Sequence, residues 1–147
     1  MTRETHSIRL AGPWFVDWVG PEDVPSLVLA IDKCQFPMKW SEVFGSSCGT
    51  ARFTRKFNQP TNLTDHHRVW LSIPEYSGML SIELNDRVLA ILPEDELPVQ
   101  VDITPTLKLH NRLALEITYC PTEGNDARKT DGSVELLIVE SEASSSV

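Results

Sequence analysis

At 147 residues the chain suits one domain, which at that size buries roughly 70% of its unfolded surface and needs no disulfide or structural metal to hold it. Hydrophobic residues make up 41% and charged residues 23%, ordinary for a globular protein. The net charge of −8 opposes a phosphate backbone, so no nucleic-acid partner is expected. No apolar run approaches the ~18 residues of a membrane span, so no membrane partner is expected either.

The three cysteines, Cys34, Cys48 and Cys120, form no CxxC pair, and no histidine stands at zinc-finger spacing from them. The odd count predicts free thiols in a reducing compartment rather than one bridge and a spare. The N-terminal MTRETHSIRL has no apolar h-region. Together these features give a cytoplasmic expectation. Asn62-Leu63-Thr64 matches a glycosylation acceptor but reads, in that setting, as a polar loop.

Residues 7–19 predict a short strand, a Gly-Pro break and a second strand. Trp14, Val16 and Trp18 share one face of that second strand. Phe15 and Val19 share the other with Asp17, which predicts that something covers both sides. Residues 20–25 are turn material, and SLVLAI at 26–31 predicts a strand. Residues 32–49 read as a long loop with one helical turn at 41–44, capped by Ser41.

Residues 50–58 form a strand with Ala51, Phe53, Arg55 and Phe57 on one face and Arg52, Thr54 and Lys56 on the other. The central block then alternates with period two, as strands burying one face require. Val69, Leu71 and Ile73 alternate with Arg68, Trp70 and Ser72, and Leu80, Ile82 and Leu84 with Met79, Ser81 and Glu83. Leu97, Val99, Val101 and Ile103 alternate with Pro98, Gln100 and Asp102. Asn85-Asp86 supplies the two positive-φ positions of a tight hairpin. Thr104 and Pro105 predict the cap and first position of one helical turn. Residues 111–119 form a strand with Leu113, Leu115, Ile117 and Tyr119 inward, 121–132 a polar turn, and 134–139 a final strand. The expected architecture is an all-β sandwich of eight or nine antiparallel strands over residues 6–140, with flexible tails at 1–5 and 141–147.

The ordered segments I-x-L-x-G-x-W (8–14), G-x-A-x-F-x-R-x-F (49–57), R-V-x-L-x-I (68–73), I-E-L-N-D (82–86), V-D-I-T (101–104) and N-R-L-A-L-E-I (111–117) carry a resemblance. From about Ile8 to Ile117 the chain resembles the N-terminal β-sandwich domain of family 2 glycoside hydrolases. The resemblance implies a galactose-binding-domain-like jelly roll. It brings no catalysis, because that family's glutamates stand on a (β/α)₈ barrel of ~250 residues. The sequence also departs from the family, with LPEDELP (92–98) where an H-x-G-G-Y type loop is common.

Five residues are candidates for ligand contact: Trp40, Glu42, Arg55, Tyr76 and Trp70. Trp40 and Glu42 lie on the long irregular segment, where an aromatic–carboxylate pair suits a ligand; Trp40 and Phe44 can equally plug the end of the sandwich. Arg55, between Phe53 and Phe57, is either a donor to sugar hydroxyls or the ion-pair partner of Glu83 or Glu116, and pairing is favoured because an unpaired buried charge is costly. Trp70 can stack on a sugar ring or be covered by the N-terminal segment or the 32–49 loop; covering is favoured.

Glu94, Asp95 and Glu96 read as a solvated acidic loop rather than a Ca²⁺ site, and His66-His67 as a poor metal pair, because strand neighbours point apart. Cys48 is expected to be inert as a nucleophile. No metal and no cofactor is expected. The reading is a non-catalytic carbohydrate-binding-like module, with an accessory domain that contacts another protein as the alternative. An exposed Trp beside polar groups in a concavity would favour sugar, and a broad exposed apolar patch a protein partner.

Overall fold

The computed structural model describes residues 5–35, 40–73, 78–92, 99–120 and 134–140. Ten strands lie in two antiparallel sheets, a β-sandwich as the alternation requires. They are β1 (Thr5–Arg9), β2 (Trp14–Gly20), β3 (Lys33–Cys34), β4 (Gly49–Asn58), β5 (His67–Ile73), β6 (Met79–Leu84), β7 (Arg87–Leu92), β8 (Val99–Asp102), β9 (His110–Tyr119) and β10 (Glu135–Glu140). One sheet has the order β1-β10-β5-β8 and the other β3-β2-β4-β9-β6-β7.

The register explains how the two apolar faces meet. Leu136, Leu71 and Val101 stand abreast across the four-stranded sheet. In the six-stranded sheet Phe53, Leu115 and Ile82 form one row, and Ala51, Ile117 and Leu80 the next. All of these except half-buried Val101 are at most 1% exposed. Asn85 (φ 54°) and Asp86 (φ 68°) make the tight turn between β6 and β7. This is the left-handed pair a two-residue hairpin needs.

Four expectations are corrected. Residues 26–31 do not form a strand: Ser26–Leu29 is a short helix, α1, that buries Val28 alone while Leu27 and Leu29 are exposed. An apolar run this short fits either state, and the Pro25 before it gives a helix start. The 32–49 segment contains the two-residue strand β3 and the helix α2 (Trp40–Phe44). Helix α2 begins one residue before Ser41, so Ser41 lies inside it and not at the cap position. Likewise Thr104 is the first residue of the 3₁₀ turn Thr104–Thr106, whose cap is Ile103. Finally, Phe15 (53%) and Val19 (54%) are exposed, so β2 buries one face and not two.

The cysteine expectation is also overturned. Cys48 and Cys120 form a disulfide across 72 residues of sequence, and Cys34 is the free thiol. Cys48 precedes β4 and Cys120 follows β9, and these two strands pair along their whole length from Gly49–Tyr119 to Asn58–His110. Strand pairing therefore carries the two sulfurs together, which sequence spacing cannot reveal.

Candidate functional site

At the disulfide end of the sandwich the helix α2 turns its aromatic residues inward. Trp40 is 6% exposed and its indole N–H donates to the Ser47 carbonyl at 2.9 Å. Its ring lies 4.6 Å from Phe44, 5.5 Å from Tyr119 and 5.9 Å from Trp18, centroid to centroid. Phe44 continues the contact to Phe53 at 6.1 Å. Trp40 is thus embedded in an aromatic plug and has little ring face left for a ligand. Glu42, on the same helix, is exposed.

Arg55 points between the sheets, as its place between Phe53 and Phe57 requires, and its Nε is buried with no hydrogen-bond partner. Neither Glu83 nor Glu116 pairs with it. Both carboxylates bind Arg52 instead, Glu83 through Nη2 and Glu116 through Nη1 at 3.3 Å. Parity decides the partner. Glu83 and Glu116 alternate with core leucines and isoleucines and so face outward, where Arg52 also lies. The hydrogen bond to Glu83, ahead of the charge of both acids, pushes the Arg52 pKa further up.

Trp70 is half-buried on the outward face of the four-stranded sheet. Leu137 stands beside it on one neighbouring strand and Asp102 on the other. The strands that pair with β5 flank it. Asp102 there accepts two bonds from Arg68, at 2.9 and 2.6 Å, and one from the Thr104 backbone N–H at 3.0 Å. Burial alone would raise its pKa, but the Thr104 bonds and the Arg68 charge outweigh it, so the carboxyl sits below 3.8. Tyr76 and the acidic trio Glu94–Glu96 lie outside the described residues. The candidates are therefore dispersed among the plug, the inner face and an outer face.

The structure brings together a different set. A groove of about 290 Å³ is lined by His6, Ile8, Pro60, Thr61, Asn62, Leu63, His67 and Ile138. His6, Ile8 and Ile138 face inward, because His6 pairs with Ile138, and Ile8 with the buried Leu136. β1 is the margin of its sheet, and Ile8 is left 40% exposed where Leu136 is 1%. The turn before β5 fixes His67. Its Nδ1 accepts from the Thr64 backbone N–H at 3.0 Å and lies 3.0 Å from the Thr64 hydroxyl. A backbone N–H can only donate, so the neutral ring carries its proton on Nε2. Sequence reasoning missed this set because only the pairing of β1 with β10 and of β10 with β5 assembles it. The alternation that groups His67 with Val69 was the one signal available. Among the described residues no group of three or more His, Cys, Asp or Glu could hold a metal ion.

No protein-family profile matches the chain, and no curated protein matches it. Solved structures do match. A β-glucuronidase from an uncultured Clostridium species is 16% identical, with a TM-score of 0.69 over 94% of this chain and 29% of its own. A Ruminococcus gnavus β-glucuronidase bound to uronic isofagomine gives 17%, 0.67, 95% and 29%. An FMN-binding β-glucuronidase from Facaelibacterium prausnitzii L2-6 gives 18%, 0.66, 92% and 22%. This chain therefore spans less than a third of those enzymes and has the fold of one small β-sandwich domain within family 2 glycoside hydrolases. Its described residues form the two antiparallel sheets and no (β/α)₈ barrel.

Proposed function

We propose that this protein is a non-catalytic carbohydrate-binding-like β-sandwich module. The observation that carries the reading is the fold likeness, which covers nearly the whole chain but only one small domain of sugar-cleaving enzymes. The local chemistry is consistent with binding rather than turnover. Among the outward carboxylates, Glu83, Glu116 and Asp102 are held by arginines. Any ligand would be held by contact and hydrogen bonds, with no cofactor. A glycan array probed with the whole chain tests this, together with incubation with p-nitrophenyl β-D-glucuronide. Binding above background without release of nitrophenol is expected. An array with no binding, or a nitrophenol signal that survives purification, would overturn it.

A second reading, an accessory domain that contacts another protein, is favoured by one observation. Phe15, Met79, Val88 and Ile91 project outward from the six-stranded sheet and are 51% to 65% exposed. They surround the Arg52–Glu83–Glu116 cluster in an arrangement of apolar rim and polar centre. Ile91→Ser and Phe15→Ser would then lower affinity for a protein partner without changing glycan binding. The net charge of −8 argues against nucleic acid as that partner. With Cys48 and Cys120 bridged, cysteine chemistry no longer supports a reducing cytoplasm, since disulfides persist in oxidising compartments.

A further inference from the structure

We propose that the groove between β1, β10, the start of β5 and the 60–63 turn holds a single uncharged pyranose ring. This rests on the carbohydrate reading and gives it a location. Three observations lead there. First, the groove opens at the margin of the four-stranded sheet, on its inward-facing side. Ile8 and Ile138 face inward with Leu136 and Val69, yet Ile8 is 40% exposed. An inward apolar side chain at a sheet margin gains free energy when something apolar covers it. The C–H face of a pyranose is such a cover.

Second, polar residues line the groove together with the apolar ones. Thr64 holds His67 in the tautomer that donates from Nε2, and Thr61, Asn62 and His6 are the other polar residues of the lining. An apolar floor with a few donors and acceptors placed around it is what an amphipathic ring with hydroxyls at its edge requires. Third, His6 and His67 are the only ionisable residues of the lining, with no Lys, Arg, Asp or Glu, and the chain as a whole carries −8. That combination disfavours an anionic sugar and offers no counter-ion to a cationic one. The volume of about 290 Å³ lies just below the range of ligand cavities, roughly 300–1,000 Å³, and so suits one ring rather than a chain of several. The Trp70 face is the rival position, but there Leu137 and Asp102 flank the ring from both neighbouring strands.

The test is NMR titration of the whole chain with methyl glucopyranoside, galactopyranoside and mannopyranoside, following the His67 imidazole and the Ile8 and Ile138 methyl signals. At least one pyranoside is expected to shift all three with millimolar affinity. His67→Ala and the groove-filling Leu63→Trp are each expected to weaken it at least tenfold, while Trp70→Ala leaves it unchanged. Thermal unfolding of each variant separates lost binding from lost fold, and the two groove variants fail by different routes. If the glycan array is positive but no pyranoside moves these signals, or Trp70→Ala alone abolishes binding, the groove is excluded and the carbohydrate reading stands. If the array itself is blank, both fall.

Discussion

The Asn85 side-chain amide donates to the Asn111 carboxamide oxygen at 3.0 Å, joining the left-handed turn between β6 and β7 to the start of β9. Asn111 is 3% exposed and also accepts from the Lys108 N–H at 2.8 Å, and it donates to the Lys108 carbonyl at 2.7 Å. Asn85 in turn accepts from the Arg112 N–H at 2.9 Å. These two side chains satisfy backbone groups of Thr106 and Lys108, ahead of β9, and of Arg112 within it. Asn111→Ala leaves the part-buried Lys108 and Asn85 groups and the Phe57 carbonyl without this partner and is expected to destabilise by about 1–3 kcal/mol in urea denaturation. Asn85→Gly keeps the backbone geometry and loses only the bonds, so it should cost less than Asn85→Ala, which also strains φ. Equal losses for the two would mean the turn conformation contributes nothing.

Reduction tests the covalent arrangement. Closing a loop of 72 residues of separation stabilises by about 4 kcal/mol on the chain-entropy account. The double variant Cys48→Ser/Cys120→Ser should lose up to that amount. Thiol titration of the unreduced, denatured chain should find one reactive group, and three after reduction. In the native state even that one should react slowly, since burial pushes the Cys34 thiol up to about 12. Three rapid native thiols would contradict the bridge.

Two glycines separate a conformational cost alone from a conformational cost with a steric one added. A Cβ at Gly49 would run into the Gly20 carbonyl oxygen, the Trp18 ring and Pro21, all beside the aromatic plug. At Gly45 a Cβ meets nothing within 4 Å, but φ is +62°. Gly45→Ala should therefore cost about 1 kcal/mol and Gly49→Ala about 2 kcal/mol or more, read as the difference in unfolding free energy.

Asp102 gives a pH dependence of known sign. Its folded pKa lies below the ordinary 3.8, so the unfolded chain binds the extra proton first as the solution is acidified. Its contribution is fully present above 3.8 and disappears as pH falls through the lower folded value. Asp102→Asn should be less stable than the parent near neutrality, with the gap closing below about pH 4. A gap independent of pH would mean that the Arg68 charge contributes nothing.

Arg55 offers the opposite expectation from a core truncation. Its buried Nε has no partner, so Arg55→Met removes an unsatisfied donor while keeping an apolar stem. Stability should be unchanged or rise by about 1 kcal/mol in thermal and urea unfolding. A loss above about 1 kcal/mol would show that the guanidinium is paired.

The alternation of apolar and polar residues was enough to place most strands and their buried faces, because side chains of a strand alternate regardless of what the strand pairs with. It also held the means to assign Arg52 to Glu83 and Glu116, since all three fall on the outward parity. Asn85-Asp86 was legible for the same local reason: only certain residues accept positive φ. What the chain order could not contain was strand adjacency. The disulfide depends on β4 lying beside β9, the groove on β10 lying between β1 and β5, and the burial of Trp40 on a short helix folding over the end of the sheets. Each of these is a contact between segments far apart in sequence. Such contacts form because burying both apolar faces together lowers the free energy of the whole, and no single segment specifies its neighbour.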